Sequence, residues 1–314
     1  MAPSVPALFR SRCSHRWGLP PNLTSARHSP SSEYLVVCHD DCDTRHGSGR
    51  QQERGGRVGI VDVSEVRAWV REGGLHARRY FNNVQAQRKA DRSWVTQADL
   101  EVEQLLRERI AARYPDHGII GEEQGSGATD REFVWCLDPI DGTGAFVAGL
   151  PTWCVSVGLL RAGQPYLGVI YLPILDDCYW ADVEGPAYRN DTPIHVSTAT
   201  SIDNNDWISV SSYAHRQYRI DFPAKTRSLS SVAVDCCYVA RGSSLGALIG
   251  RANLWDLAAG LAILRAAGAV VIGLSGAPLD TAPLLDGHRL PEPIIVAPPQ
   301  LVEQLRGYIS RRTA

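Results

Sequence analysis

Two amphipathic stretches open the patterned part of this 314-residue chain. Val63 and Val66 begin an apolar series at helical spacing, which predicts a helix over 62–81. A second apolar stripe, with charged residues mostly off it, predicts a helix over 98–113 that ends before Pro115. Both helices should bury one face against the rest of a folded domain.

Short apolar runs bounded by turn residues follow, and such runs predict strands. They cover 118–121, 133–137, 153–160, 166–172, 178–181, 270–272 and 294–297. An Ala- and Leu-rich stretch predicts a helix over 254–269, and 299–311 is predicted as a closing helix. Because strands and helices are mixed along the chain, the pattern predicts a layered α/β or α+β fold.

The segment 1–58 has no sustained apolar period and is rich in Ser, Pro, Arg and His. Such a segment buries too little surface to offset the entropy of ordering it. It is predicted to be a disordered tail or a non-native extension in front of a single domain at 59–314. The absence of acidic residues before Glu33 would also suit a targeting segment, which is the less favoured alternative.

Cys38 and Cys42 flank His39 at a spacing that zinc ligands can have. No second Cys/His pair follows at the distance typical of a zinc finger, so a solvated tail is the favoured interpretation. The eight cysteines of a chain this long do not indicate a disulfide framework either.

Composition and charge exclude several classes of protein. Hydrophobic residues make up 44% and charged residues 21% of the chain, as in soluble globular proteins. The net charge of -2 predicts no special attraction to nucleic acid or to anionic membranes. No apolar run approaches the roughly 18 residues that a membrane-spanning helix needs. We therefore expect a soluble, cytoplasmic protein.

The acidic residues stand at the ends of predicted elements. Asp138 and Asp141 follow one apolar strand, Glu122 and Glu123 follow another, and Asp256 lies where a helix starts. Residues in such places can converge, and carboxylates held together repel each other unless a cation compensates them. Magnesium prefers oxygen ligands and keeps some water, so the pattern favours a magnesium site suited to phosphate chemistry.

The residues next to these aspartates favour the same chemistry. Pro139 stiffens the turn, Gly142 allows a tight bend, and Thr143 opens a predicted helix whose amides could bind phosphate. Taken singly, each acidic residue has a simpler explanation. Asp99 and Asp256 could be helix caps, and Glu122 could belong to a solvated surface pair. Their joint occurrence favours the metal site over these alternatives.

Four motifs together resemble the inositol monophosphatase family of lithium-sensitive, magnesium-dependent phosphatases. They are Asp99 in Thr96-Gln97-Ala98-Asp99, Gly121-Glu122-Glu123, Asp138-Pro139-Ile140-Asp141-Gly142-Thr143 and Trp255-Asp256-Leu257-Ala258-Ala259-Gly260. The resemblance covers about 62–311. It implies a layered α/β/α/β/α sandwich of the inositol monophosphatase and fructose-1,6-bisphosphatase type, and a homodimer.

The resemblance also implies roles for particular residues. Two or three Mg²⁺ ions would be held by Glu122, Asp138, the Ile140 carbonyl, Asp141 and Asp256. Mn²⁺ could replace Mg²⁺, and Li⁺ is expected to inhibit. The implied catalytic residues are Thr143, which would orient or deprotonate the attacking water with Asp99, and Lys89, which would support that water or the phosphate. The implied phosphate and substrate contacts are the amides of Gly142 and Thr143 and the loop residues Ser230 and Ser231.

Departures from the family pattern concern the alcohol half of the substrate. Ile249 stands where animal-type relatives carry a Glu that contacts inositol hydroxyls, and Gly144 and Ala145 replace a pair that is often polar or basic. The substrate is therefore predicted only as a small alcohol phosphate. Inositol phosphate, histidinol phosphate, a sugar phosphate and a nucleotide 3'-phosphate all remain open.

The alternative function is a non-catalytic or moonlighting regulatory protein on the same fold. The presence of every expected carboxylate favours a working enzyme. A structural calcium site is disfavoured, because the spacing does not resemble an EF-hand loop.

Overall fold

A computed structural model describes residues 61–90, 93–182 and 185–312. Within these residues the helices are α1 (Val63–Arg78), α2 (Gln97–Arg113), α3 (Thr143–Val147), α4 (Ala214–Gln217), α5 (Val232–Ala240), α6 (Leu254–Ala266) and α7 (Val302–Gly307), with a 3-10 helix at Ala282–Asp286. The strands are β1 (Ala86–Arg88), β2 (Trp94–Thr96), β3 (Gly118–Gly121), β4 (Gly125–Gly127), β5 (Phe133–Asp141), β6 (Cys154–Arg161), β7 (Gln164–Leu172), β8 (Asp177–Ala181), β9 (Ala187–Arg189), β10 (Thr192–Ile194), β11 (Trp207–Val210), β12 (Tyr218–Ile220), β13 (Lys225–Arg227), β14 (Gly246–Ile249), β15 (Val270–Gly273), β16 (Ile294–Ala297) and β17 (Ile309–Arg311).

The first helix packs closely against the sheet. The Asp62 side chain caps α1 by accepting a hydrogen bond of 2.8 Å from the Ser64 amide. Gly74 lies on its buried face, where a Cβ would come within 2.5 Å of the Tyr171 ring on β7. Glycine lowers helix propensity, but here it allows the helix backbone to approach the sheet.

Two sheets form the framework. An eight-stranded sheet has the order β10-β9-β8-β7-β6-β5-β3-β4, and a five-stranded sheet has the order β13-β11-β14-β16-β15. In the larger sheet β3 and β5 are parallel and the other neighbours are antiparallel. All nine residues of β5 are buried, because helices cover both faces of the sheet.

The layers confirm the predicted α/β/α/β/α sandwich. Helices α1 and α2 contact the outer face of the larger sheet, around a core that includes Trp135 and Leu159. Helices α5 and α6 fill the space between the two sheets, with Leu257 and Ile263 in the central core. Helix α7 covers the far face of the smaller sheet through residues such as Leu305.

Most predicted elements are confirmed, and one is partly wrong. The predicted helix over 299–311 is shorter, since α7 ends at Gly307 and the last residues form β17. That strand pairs with β12, and Ile309 lies opposite Ile220. Strand β12 is distant from β17 in the sequence. Its hydrogen bonds with β17 satisfy the backbone groups that a helix would have satisfied within itself.

Two further findings concern disulfide bonds and membrane-spanning helices. Cys136, Cys154, Cys178, Cys236 and Cys237 are buried free thiols, so no disulfide joins the described cysteines. Among the described residues, no helix combines the length and apolar character that crossing a bilayer requires. The predictions for 1–58, including the zinc alternative at Cys38 and Cys42, lie outside the described residues.

Candidate active site

A cavity of about 550 Å³ opens where β5 ends. It is lined by Lys89, Ser93, Glu122, Asp138, Ile140, Asp141, Gly142, Thr143, Arg251, Ala252, Asn253, Trp255, Asp256, Gly287 and Arg289. All five predicted metal-binding residues are therefore in one place, together with Lys89 and the Gly142-Thr143 turn. Three predicted site residues do not line the cavity: Asp99, Ser230 and Ser231.

A larger groove of about 880 Å³ runs along α1 and α2. Its walls include Trp69, Leu100 and Glu101, and it lacks the convergent carboxylates of the smaller cavity. Size alone does not identify a catalytic site, whereas convergent ionisable groups in a cleft do point to one. We therefore take the 550 Å³ cavity as the candidate active site.

The ends of β3 and β5 bring the first acidic residues together. The two strands are parallel, and the Glu122 amide donates to the Leu137 carbonyl at 3.2 Å, one residue before Asp138. The pairing of β5 with β6 is irregular between Asp138 and Asp141. Pro139 cannot donate a ladder hydrogen bond, so the strand breaks its pairing there and presents carboxylates at its end.

Asp141 is held by the start of α5. Ser231 Oγ donates to Asp141 Oδ2 at 2.8 Å, and the Ala233 amide donates to the same oxygen at 2.5 Å. Ser231 Oγ also caps α5 by accepting from the Val234 amide at 3.1 Å. Ser231 is buried and engaged in this way, so it is placed to orient Asp141, and its predicted role as a substrate contact stays a prediction.

Gly142 turns the chain from β5 into the short helix α3. Its φ of 91° lies in the left-handed region, and a Cβ there would come within 3.1 Å of both Ser231 Cβ and the Thr152 carbonyl oxygen. Ser230 is exposed, and its carbonyl oxygen would lie 3.2 Å from a Cβ at Gly142. The Thr143 hydroxyl donates to the Ile140 carbonyl at 3.1 Å.

Asp256 and Asp99 each use one oxygen to cap a helix. Asp256 Oδ2 accepts from the Asn253 amide at 2.7 Å at the start of α6. Asp99 Oδ2 accepts from the amide and the hydroxyl of Thr96, at 2.8 and 2.5 Å, at the start of α2. Each residue is therefore a cap, as its simpler explanation predicted, and each keeps a second oxygen for other contacts.

The predicted pairing of Thr143 with Asp99 is not formed among the described hydrogen bonds. Thr143 donates to Ile140, and Asp99 Oδ1 is buried with no hydrogen-bond partner. A buried carboxylate oxygen without a partner is costly, so this atom is the kind that a bound water would satisfy.

The carboxylates oppose each other's ionisation. Burial, then the charges of neighbouring carboxylates, raises the pKa of Asp138 and Asp256 well above the usual range. Burial likewise raises the pKa of Asp141 to about 6, although hydrogen bonds from Ala233 and Ser231 limit the shift. Burial raises the pKa of Asp99 to about 7. A cation bound among them would reverse this penalty.

Lys89 already supplies one positive charge. Its Nζ donates to Glu122 Oε1 at 2.8 Å and to Glu123 Oε1 at 2.6 Å. Burial disfavours the ammonium, but the two carboxylates outweigh it and raise the pKa of Lys89. The predicted position of Lys89 next to the metal-binding residues is thus observed, and its catalytic role stays a prediction.

Glu103 is a positioning residue that the sequence did not reveal. It is fully buried, and its carboxylate accepts from the amides of Glu123 and Gln124 at 2.7 and 3.0 Å. Arg107 donates to it at 2.8 Å. Glu103 therefore fixes the turn that carries Glu122, and this role is visible only from its hydrogen bonds to the residues after β3.

Divalent cations fit the donor types of this cavity, because it offers several carboxylates and a backbone carbonyl. No three acidic, His or Cys side chains among the described residues already stand as ligands around one point. Lys89 donates to Glu122, and the carboxyl groups of Asp138 and Asp256 lie close enough to affect each other's pKa. Side-chain rotations would therefore be needed to bind a cation. The oxygen donors and the raised pKa values of the carboxyl groups nevertheless favour cation binding at this place.

Arginines complete the cavity wall. Arg251 follows β14 by two residues, and Arg289 follows the 3-10 helix. Ile249, which stands where relatives carry a Glu, is buried in the central core and does not line the cavity. The only sequence signal for Arg251 was its place five residues before Asp256, and Arg289 gave none.

Comparisons with known proteins agree with this geometry. The inositol monophosphatase family model matches residues 62–304. The chain is 30% identical over 242 residues to the fructose-1,6-bisphosphatase/inositol-1-monophosphatase of Aquifex aeolicus, a match that covers 73% of this chain and 90% of the relative. It is 31% identical over 259 residues to the Nus factor SuhB of Pasteurella multocida, covering 78% and 93%. The structure of the Thermotoga maritima IMPase superposes with a TM-score of 0.70 at 25% identity, covering 78% of this chain and 95% of that one.

Proposed function

The chain belongs to the inositol monophosphatase family, and on that premise we propose that it is a magnesium-dependent phosphomonoesterase for a small alcohol phosphate. One observation carries the proposal. Glu122, Asp138, Asp141 and Asp256 line a single cavity with the Gly142-Thr143 turn. The candidate substrates are inositol-phosphate-like compounds, histidinol phosphate and sugar phosphates.

The proposed metal ligands divide into overlapping sets. Glu122, Asp138 and the Ile140 carbonyl would hold one Mg²⁺, and Asp138, Asp141 and Asp256 a second, with a weaker third site sharing Glu122. Such ions supply an activated water, orient the phosphate and neutralise the leaving alkoxide. Mn²⁺ should substitute for Mg²⁺ in this set of oxygen ligands.

The chain's own residues prepare the site for this reaction. Ser231 and the Ala233 amide fix the orientation of Asp141. Thr143 and Asp99 are proposed to orient the attacking water, which would satisfy the unpaired Asp99 Oδ1. Lys89 is proposed to support this water or the phosphate, and the amides of Gly142 and Thr143 to contact the phosphate. Attack by water needs no phosphoenzyme.

Phosphate release from a panel of alcohol phosphates, with Mg²⁺, tests the proposal. We expect turnover by the full chain and a loss of at least about a thousandfold in Asp138→Asn, because this change removes a ligand shared by two ions. The exposed Asp116→Asn is the matched control and should retain activity. A wild-type protein that is inert across the panel, or an Asp138→Asn variant as active as wild type, would overturn the proposal.

A second candidate is a regulatory or binding role on the same fold. The similarity to a relative named a Nus factor favours it. Affinity capture with wild type and with Asp138→Asn separates the two functions. Partners retained by the inactive variant would support a binding role, whereas an absence of specific partners would contradict it. The homodimer and the cytoplasmic location stay predictions.

A further inference from the structure

Ser156 on β6 carries a hydroxyl that is fully buried and has no hydrogen-bond partner among the described residues. Burial removes this group from water, and an unpartnered hydroxyl makes the fold less stable than alanine at the same position would. Ser156 is not among the residues assigned to the proposed reaction. Because buried polar groups in folded proteins nearly always have a partner, the hydroxyl of Ser156 calls for a specific explanation.

The position of Ser156 in the sheet places it beside the candidate active site. In the antiparallel pairing of β5 with β6, Asp138 lies opposite Ser156, and Asp141 lies opposite Cys154. Side chains directly opposite each other project from the same face of a sheet, with Cβ atoms about 4.5–5.5 Å apart. The Ser156 hydroxyl is therefore the cross-strand neighbour of the carboxyl group that is proposed to be shared by two cations.

Helix α6 covers the face of the sheet to which Ser156 points. Two residues farther along β6, a Cβ at Gly158 would come within 2.6 Å of both the Cβ of Ala258 and the amide nitrogen of Ala259. Gly158 and Ser156 face the same side, because side chains alternate along a strand. Asp256, another proposed metal ligand, lies in the first turn of the same helix. Ser156 is thus enclosed between two elements that each carry a proposed ligand.

Asp141 and Asp138 differ in the donors that hold them. Asp141 Oδ2 accepts from the Ser231 hydroxyl at 2.8 Å and from the Ala233 amide at 2.5 Å. Asp138 Oδ1 accepts from a backbone amide, that of Ile140, at 3.1 Å. A carboxylate shared by two cations must keep both oxygens in a fixed orientation. A hydroxyl next to Asp138 can give it the support that Ser231 gives to Asp141.

A packing role is the simpler explanation of Ser156. Helix α6 approaches the sheet closely at Gly158, and the same close approach could require a small side chain two residues away. Alanine would meet that requirement as well as serine, however, and it would bury no unpartnered hydroxyl. Packing therefore explains why the residue is small, and it leaves the hydroxyl unexplained.

We propose that Ser156 is a positioning residue for Asp138, and that its hydroxyl donates a hydrogen bond to this carboxylate when a divalent cation is bound. This inference rests on the proposed phosphatase function. Cation binding already requires rotation of the carboxylate side chains, and a rotation of Asp138 brings an oxygen within reach of its cross-strand neighbour. A hydrogen bond to an ionised carboxylate is stronger than one between neutral groups. The serine is therefore unfavourable in the metal-free protein and favourable in the metal-bound protein.

Ser156→Ala tests the proposal, because the change should act with opposite sign in the two states. Without metal, we expect the full chain carrying this change to have a urea midpoint equal to or higher than that of wild type, since an unpartnered hydroxyl is removed. In calorimetric titration with Mg²⁺, we expect the variant to bind about tenfold more weakly than wild type. At saturating Mg²⁺ the KM for the alcohol phosphate should be unchanged.

Ser244→Ala is the matched control. Ser244 is also fully buried, but its hydroxyl donates to the Gly246 carbonyl at 2.8 Å, and the residue does not line the active-site cavity. This variant should lose metal-free stability and bind Mg²⁺ as wild type does.

Two results would overturn the positioning role of Ser156. Mg²⁺ binding by Ser156→Ala that equals wild type would assign the residue to packing, and a metal-free stability loss like that of Ser244→Ala would mean that the hydroxyl is already engaged. The failure of the phosphatase proposal is a separate result. If wild type binds Mg²⁺ but hydrolyses no alcohol phosphate, that proposal fails, and the calorimetric comparison still decides the role of Ser156. An absence of Mg²⁺ binding by wild type would overturn both.

Discussion

Ser231 Oγ donates a hydrogen bond of 2.8 Å to Asp141 Oδ2, although the two residues lie 90 positions apart in the chain. The same hydroxyl caps α5, so the start of that helix and the orientation of a proposed metal ligand depend on one side chain. This coupling explains why Ser231 is buried although it lies next to the site.

Ser231→Ala should weaken magnesium binding. Removal of the hydroxyl leaves Asp141 Oδ2 with the Ala233 amide as its donor and uncaps α5, and a hydrogen bond to a carboxylate contributes about 1.5–3 kcal/mol. We expect the Mg²⁺ concentration for half-maximal activity to rise about tenfold. The exposed Ser126→Ala on β4 is the control. An unchanged Mg²⁺ dependence in Ser231→Ala would contradict the positioning role.

Glu103→Gln should destabilise the fold and disturb the Glu122 turn. The change breaks a buried ion pair with Arg107, and removal of one charged partner costs about 3 kcal/mol or more. Urea denaturation measures the loss, and Mg²⁺ titration measures the effect on the site. Glu108→Gln, on the exposed face of the same helix, should change the free energy of unfolding by less than about 0.5 kcal/mol. Equal stability of the two variants would contradict this role for Glu103.

The stability of the protein should decrease as the pH rises, because of Asp235. Burial raises the pKa of this carboxyl from 3.8 to about 8, and Ser209 donates a hydrogen bond to it. Its contribution is complete below about pH 4, where both states are protonated, and is lost as pH rises towards about 8. The slope reaches about 1.4 kcal/mol per pH unit.

Asp235→Asn isolates this contribution, since the amide oxygen can still accept from Ser209. Urea unfolding from pH 4 to pH 8 should show that the free energy of unfolding of wild type declines relative to that of the variant. Parallel pH profiles for the two proteins would mean that Asp235 ionises in the folded state as readily as in the unfolded chain.

Metal removal should abolish turnover, and lithium should inhibit it. Chelation leaves the carboxylates to repel each other, and added Mg²⁺ should restore activity and raise the Tm, because binding to the folded state alone stabilises it. Li⁺ should displace one Mg²⁺ and slow phosphate release, with Na⁺ at the same ionic strength as the control. Activity that survives chelation, or that Li⁺ does not affect, would count against the proposed metal sites.

Local pattern was enough to predict the elements that carry the site. The aspartates of β5 and the glutamates after β3 are next to apolar strands, and parallel neighbours end at the same edge. Their convergence follows from strand geometry alone. The predicted helix over 299–311 was partly wrong for the opposite reason. Strand β17 forms through its pairing with β12, whose first residue, Tyr218, lies 91 positions before Ile309.

The sequence by itself determined the layered fold, the family and the set of convergent carboxylates, because periodicity and motif order are properties of neighbouring residues. Tertiary structure alone decided that Ser231 holds Asp141, that Glu103 fixes the turn after β3, and that Arg251 and Arg289 share one cavity wall. Each of these contacts joins residues from separate elements. The packing of the layers sets the distances between these residues, and the local sequence pattern does not predict those distances.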